Sequence, residues 1–301
     1  MKRDFLAVSD LTPDEIGRLL QRAGQLKAGR DSGQCPLIGK SIGLLFEKPS
    51  TRTRISFEVG VYQMGGKTIT MNPSELQLGR GETMPDTART ISRYLDGIMI
   101  RTFSHSTLVQ FAAAASIPVI NGLSDLHHPC QALADLVTMT EKKGKLKGLK
   151  VAFVGDGNNV CNSLIEAASL MEFDLVIACP EGFEPDADIL EKARAAAKSE
   201  IVVLRDPKEA AGMADAVYTD VWVSMGQEGQ SDEKKQRLRD YQINSRLLAC
   251  SKKDVIVLHC LPAHRGEEIT DEVMDGPHSV VFDQAENRLH AQKALLEMLI
   301  R

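Results

Sequence analysis

Short apolar runs alternate with helical patterns along almost the whole chain, and that alternation permits few folds. Runs at residues 41–46, 67–71, 97–100 and 118–120 read as strands, and helical periodicity separates them at 52–64, 85–94, 106–115 and 129–142. The alternation resumes at 150–154, 175–178, 201–204, 216–219, 255–258 and 280–282, and an amphipathic helix at 287–300 follows. Repeated strand–helix–strand order implies crossover connections and hence parallel sheets. A helix is also expected after Thr12-Pro13-Asp14-Glu15, a capping box with proline at the first helical position, ending near Gly29. Between the two series, residues 141–150 (EKKGKLKGLK) carry five lysines and two glycines, which suits a helix end and an interdomain hinge. At 301 residues the chain exceeds what one core usually organises. The expected fold class is α/β, with two doubly wound domains, each a parallel sheet flanked by helices.

A formal net charge of -5 argues against nucleic acid or an anionic membrane as the main partner. The amino terminus lacks the apolar core of a secretory signal, because Asp4, Ser9 and Asp10 interrupt it, and no run approaches the 18 or so apolar residues of a membrane span. Cys35, Cys130, Cys161, Cys179, Cys250 and Cys260 are scattered without CxxC pairs, as reduced thiols of a cytoplasmic protein would be.

In open parallel sheets, ligands bind beyond the carboxyl ends of strands. That rule selects the segments worth reading. Ser50-Thr51-Arg52-Thr53-Arg54 follows the first strand and opens a helix, where hydroxyls, fresh N–H groups and guanidinium groups suit an anion such as phosphate. Taken alone, S-T-x-T is also an ordinary helix cap beside solvated arginines. Arg101 closes the strand at 97–100 and reaches the same sheet edge. His127-His128-Pro129-Cys130-Gln131 places His128 at the positive end of a helix, where it and the Gln131 amide can donate to a carbonyl oxygen.

Val151 to Asn159 form a strand, a glycine turn and a helix start, but Val160 and Cys161 stand where a dinucleotide fingerprint needs its third glycine. No nicotinamide cofactor is expected, and Asn158 and Asn159 are offered to a small polar ligand. Asp220 leaves the strand at 216–219 into Val221-Trp222-Val223-Ser224-Met225-Gly226, where it suits an ammonium group while Trp222 packs the base of the loop. His259-Cys260-Leu261-Pro262-Ala263-His264-Arg265 ends the strand at 255–258, and Arg288 lies near the start of the last helix. The histidines and cysteines of the two clusters suggest zinc, but they lack clean ligand pairs and prolines interrupt both, so no metal is expected.

In this order, these segments resemble the aspartate and ornithine carbamoyltransferase family over essentially the whole chain. S-T-R-T-R and H-P-x-Q are patterns shared across that family, whereas D-x-x-x-S-M-G and H-C-L-P-A-H-R look like its ornithine branch. The resemblance implies transfer of a carbamoyl group from carbamoyl phosphate to ornithine, without a cofactor. It implies that Ser50, Thr51, Arg52 and Thr53 hold the phosphate, and that Arg101, His128 and Gln131 bind carbamoyl phosphate and polarise its carbonyl oxygen. Arg288 would reach in from the last helix, so that residues 285–301 return to the first domain. Residues 1–143 would bind carbamoyl phosphate and 144–284 ornithine, the latter through Asn159, Asp220, Ser224 and Met225. Cys260 and Leu261 would line the junction of the substrates, with Cys260, Arg101 and His128 catalytic. Gln77, in the loop 72–83, matches a position that serves the neighbouring subunit's site, which implies a homotrimer with shared active sites. Gln77 near Arg80, and His-Cys-Leu-Pro in place of His-Pro-Leu-Pro, disfavour aspartate as acceptor. The intact Ser224-Met225-Gly226 disfavours acetylornithine and putrescine. Direct attack by the amine and a covalent carbamoyl group on Cys260 are both chemically open.

Overall fold

The computed structural model describes residues 2–29, 33, 35–76, 81–223 and 231–300. The chain divides into two compact units, one of residues 1–137 with 286–301 and one of residues 138–285.

In the first unit, Thr12 caps α1 (Pro13–Lys27) as its sequence dictates: Thr12 Oγ1 accepts from the Glu15 N–H, and Glu15 Oε2 accepts from the Thr12 N–H. Gly29, at φ +68°, takes the left-handed conformation just past the helix end. The elements that follow are β1 (Ser41–Phe46), α2 (Thr51–Gln63), β2 (Lys67–Met71), α3 (Met84–Ile91), β3 (Gly97–Arg101), α4 (His105–Ala114), β4 (Val119–Leu123) and α5 (Pro129–Lys143). The four strands form a parallel sheet in the order β2-β1-β3-β4. Every residue of β3 is buried, whereas the edge strand β2 alternates toward solvent.

The second unit contains β5 (Lys150–Val154), α6 (Asn159–Met171), β6 (Asp174–Ala178), α7 (Ala187–Ala196), β7 (Ile201–Leu204), α8 (Pro207–Ala211), β8 (Ala216–Thr219), α9 (Ser231–Leu238), α10 (Ser245–Leu248), β9 (Ile256–His259) and α11 (Asp271–Met274). Its parallel sheet runs β7-β6-β5-β8-β9. Phe153 and Tyr218, both fully buried, stack across β5 and β8 with ring centroids 5.6 Å apart. The final helix, α12 (Val281–Leu299), begins in the second unit and from Glu286 onward supplies the carboxyl-terminal part of the first. Among the described residues no helix is long and apolar enough to cross a membrane.

Two expectations from the sequence need correction. Residues 280–282 are not a strand: Ser279 makes one isolated bridge to Val257, and α12 already begins at Val281, six residues before the periodicity at 287–300 suggested. A three-residue apolar run cannot separate strand from helix, and here no glycine or proline stands between Val281 and the amphipathic pattern. Arg101 is the last residue of β3, and β4 continues through Asn121 and Gly122 to Leu123.

The turn after β5 owes its glycines to close packing. Gly155 has φ +135°, and a Cβ on Gly157 would lie 2.3 Å from the Pro185 nitrogen and 2.6 Å from the Glu184 carbonyl carbon. Those are backbone atoms with little freedom to yield. Gly157→Ala should therefore cost about 1–3 kcal/mol of stability, the usual penalty for overpacking. Urea denaturation checks this, and an unchanged midpoint would contradict so close an approach.

Candidate functional site

Each sheet reverses its strand order once, and each reversal carries a cluster of polar side chains. In the first unit the reversal falls between β1 and β3, whose ends are in register, Phe46 opposite Arg101. Ser50 caps α2, its Oγ accepting from the Thr53 N–H at 3.3 Å. From α12, Arg288 donates through Nη1 to Gln131 Oε1 at 2.7 Å and through Nη2 to Thr53 Oγ1 at 3.0 Å. Gln131 in turn donates from Nε2 to Asp135 Oδ1 at 2.9 Å. Thr53, Gln131, Asp135 and Arg288 are all buried, so one hydrogen-bonded chain ties the amino ends of α2 and α5 to α12.

His128 sits in the same cluster. Burial first, and then the charges of Arg288, Arg101 and Arg52, hold its imidazole well below the ordinary histidine range. It is therefore a neutral group among three guanidinium ions at neutral pH, able to donate a hydrogen bond without adding charge. Ser50 and Thr51 also face an open cleft of about 490 Å³ lined by Arg54, Thr70 and Asn72. Cys130 takes no part in ionic chemistry: it is fully buried, its thiol donates to the Asn121 carbonyl at 3.3 Å, and burial pushes its pKa up to about 12.

In the second unit the reversal lies between β5 and β8. Asn158 caps α6, its Oδ1 accepting from the N–H groups of Val160 and Cys161, and its Nδ2 donates to Asp220 Oδ2 at 2.6 Å. Asp220 Oδ1 accepts from the Cys260 thiol at 2.7 Å and from the Val221 N–H at 2.8 Å. Leu261 occupies the left-handed region at φ +58°, a strained conformation for a branched residue. What holds it is a buried network. The Leu261 N–H donates to His259 Nδ1 at 2.8 Å, so the proton of the neutral ring sits on Nε2 and points to Glu268 Oε1 at 3.0 Å. The His259 N–H donates to Gln284 Oε1, and Gln284 donates to the Tyr218 hydroxyl.

The sequence therefore marked Ser50, Thr53, Arg101, His128, Gln131 and Arg288 in one cluster, and Asp220, Cys260 and Leu261 in another. Asn159 is the first residue of α6; it is the neighbouring Asn158 that binds Asp220. Trp222 is buried beside Gly155, at the base of the loop as its sequence position suggested. Gln77, Ser224 and Met225 lie outside the described residues. Asp135, Gln284 and Glu268 escaped the reading: Asp135 stands one helical turn after Gln131 on α5, whereas Gln284 and Glu268 act on partners that only the fold brings near. Asp220, His259 and Cys260 place ligand-type atoms within 4.8 Å of one another, but both ring nitrogens of His259 are already engaged in hydrogen bonds.

Comparison with known proteins agrees over the whole length. Residues 3–141 match the family described as aspartate/ornithine carbamoyltransferase, carbamoyl-P binding domain, and residues 147–299 match aspartate/ornithine carbamoyltransferase, Asp/Orn binding domain. The ornithine carbamoyltransferase of Syntrophus aciditrophicus is 56% identical over 302 residues, covering 100% of both chains. The anabolic ornithine carbamoyltransferase of Pseudomonas aeruginosa is 53% identical, covering 99% of this chain and 97% of its own. The solved ornithine carbamoyltransferase of Pyrococcus furiosus superposes with a TM-score of 0.95 at 49% identity, covering 99% of this chain and 97% of that one.

The depressed His128 fixes a pH dependence. As pH falls through about 6.5, the unfolded chain gains a proton there that the folded chain refuses, so the unfolded state binds more protons and stability falls with pH. Between pH 7.5 and 5.5 His128→Asn should lose about 1 kcal/mol less than the parent protein in urea melts. Equal losses would mean that the imidazole is not held neutral.

Proposed function

The chain belongs to the aspartate/ornithine carbamoyltransferase family, and from that premise we propose that it transfers the carbamoyl group of carbamoyl phosphate to the δ-amine of L-ornithine, giving L-citrulline and phosphate. The observation that carries the reading is the cationic cluster at the first unit's strand reversal, where Arg52, Arg101 and Arg288 surround neutral His128. A phosphate dianion matches it in charge.

In this reading residues 1–143 bind carbamoyl phosphate, residues 144–284 bind ornithine, and 285–301 complete the first domain through Arg288. Ser50, Thr51, Arg52 and Thr53 hold the phosphate. Arg101 and His128 hold the carbonyl oxygen, with Gln131 beside them, kept in orientation by Asp135 and Arg288. Asp220 and Cys260 take the α-amino group, with Asn159, Ser224 and Met225 completing the amino-acid site and Leu261 at the junction of the substrates. The δ-amine, whose unperturbed pKa is about 10.4, must shed a proton before it attacks. Attack on the carbonyl carbon then gives a tetrahedral oxyanion stabilised by Thr53, Arg101 and His128, and phosphate leaves with its charge met by Ser50, Arg52 and Gln131. We favour direct attack over a covalent carbamoyl group on Cys260, because that thiol donates to the Asp220 carboxylate, whose negative charge opposes formation of a nucleophilic thiolate.

The reaction serves arginine biosynthesis, in the cytoplasm. We further propose a homotrimer in which Gln77 serves a neighbouring subunit's site. Support comes from the exposed apolar stripe of Ile55, Val59 and Tyr62 on α2, with Ile69 exposed on the edge strand β2.

A citrulline assay tests the function. Ornithine should exceed putrescine, acetylornithine and aspartate by at least about a hundredfold in kcat/KM, and Arg52→Ala should lower kcat/KM for carbamoyl phosphate by about 10²–10³. Carbamoylation of another acceptor in preference to ornithine would overturn the assignment.

A further inference from the structure

A nearly buried charge pair lies beside the second unit's cluster and takes no part in the reaction as proposed. Lys234, on α9, places its ammonium 2.6 Å from Asp156 Oδ2, with the two side chains only 11% and 14% exposed. Asp156 belongs to the turn after β5, two residues before Asn158, whose amide holds Asp220. This short turn therefore reaches two carboxylates, its own Asp156 and, through Asn158, Asp220. The two acids also sense each other: burial pushes Asp156 up, Lys234 pulls it down, and the Asp220 charge pushes it up again. Lys234 stands within 5.7 Å of the Phe183 ring centroid, over which Arg237 also lies. Among the described residues Lys234 forms an ion pair with Asp156, and Asp220 forms none.

Charge balance follows from this arrangement. With Lys234 in place the turn offers the acceptor one carboxylate, Asp220, not cancelled by a lysine or arginine. Without Lys234 it offers two at any pH above the raised pKa of Asp156. An α-amino acid such as ornithine brings its α-ammonium with an adjacent carboxylate, which a second fixed negative charge repels. A diamine brings an ammonium at each end and no carboxylate, so a second negative charge attracts it.

We propose that Lys234 is a specificity-determining residue, which cancels Asp156 so that the site selects an α-amino acid over a diamine. The proposal rests on the ornithine reading above. It also separates two effects, because a tether between α9 and the turn would influence all acceptors alike whereas a charge effect sorts them by charge.

The experiment measures kcat/KM for ornithine and for putrescine in four variants. Lys234→Met should lower the ornithine-to-putrescine ratio by about tenfold or more, with KM for carbamoyl phosphate unchanged. Lys234→Arg should restore the ratio to within about twofold of the parent. Asp156→Asn should keep or raise it, and the double variant Asp156→Asn/Lys234→Met, which removes both charges, should return it toward the parent value. A ratio unmoved in Lys234→Met, or a double variant no better than Lys234→Met, would overturn the proposal. Failure of the parent protein to carbamoylate ornithine at all would instead overturn the functional reading.

Discussion

A parallel sheet whose strand order reverses leaves a crevice beyond the carboxyl ends of the two strands that flank the reversal, and both units of this chain build their polar clusters there. Strands that end side by side deliver loops to one place without any further device. In the first unit the register sets Phe46 opposite Arg101, so that the α2 amino terminus and the end of β3 converge. In the second, the turn after β5 and the loop after β8 meet through the bond from Asn158 to Asp220. Everything else in either site is arranged around those two meetings.

The two clusters differ in charge, and the difference is chemically complementary. Three guanidinium groups around a buried histidine would be costly if the imidazole were also charged, and the fold avoids this by keeping His128 neutral. Arg288 spends two of its donors on Gln131 and Thr53, which fixes its plane before any anion arrives. The second cluster is organised around a carboxylate, Asp220, fixed by an amide, a thiol and its neighbour's N–H group. Its support is a buried shell in which His259, Glu268, Gln284 and Tyr218 set the strained turn at Leu261. One cluster thus suits a phosphate-bearing donor and the other an ammonium-bearing acceptor.

Much of this was legible in the sequence because strands buried on both faces read as continuous apolar runs and helix caps are local. β3 and β8 are wholly buried, and the Thr12 capping box and the Ser50 cap formed where their residues stood. The run at 280–282 misled because three apolar residues fit the start of an amphipathic helix as well as a strand. Other features could not be read in principle. Lys234 lies in the charge run Asp232-Glu233-Lys234-Lys235, which looks like a solvated face until the fold brings Asp156 to within 2.6 Å. Gly157 looked like part of a nucleotide fingerprint, but its missing side chain makes room for the backbone of residues 183–185. Glu268 and Gln284 both bind His259, a partner that their spacing does not announce.

The central claim is a division of labour, with the guanidinium cluster holding carbamoyl phosphate independently of the carboxylate cluster. Calorimetric titration of carbamoyl phosphate, in the absence of ornithine, into Arg288→Gln and Asp220→Asn tests it most directly. Arg288→Gln should weaken binding by about tenfold or more, the worth of a charge-assisted fork, while Asp220→Asn retains the parent affinity. Equal weakening in both variants, or none in Arg288→Gln, would contradict the division.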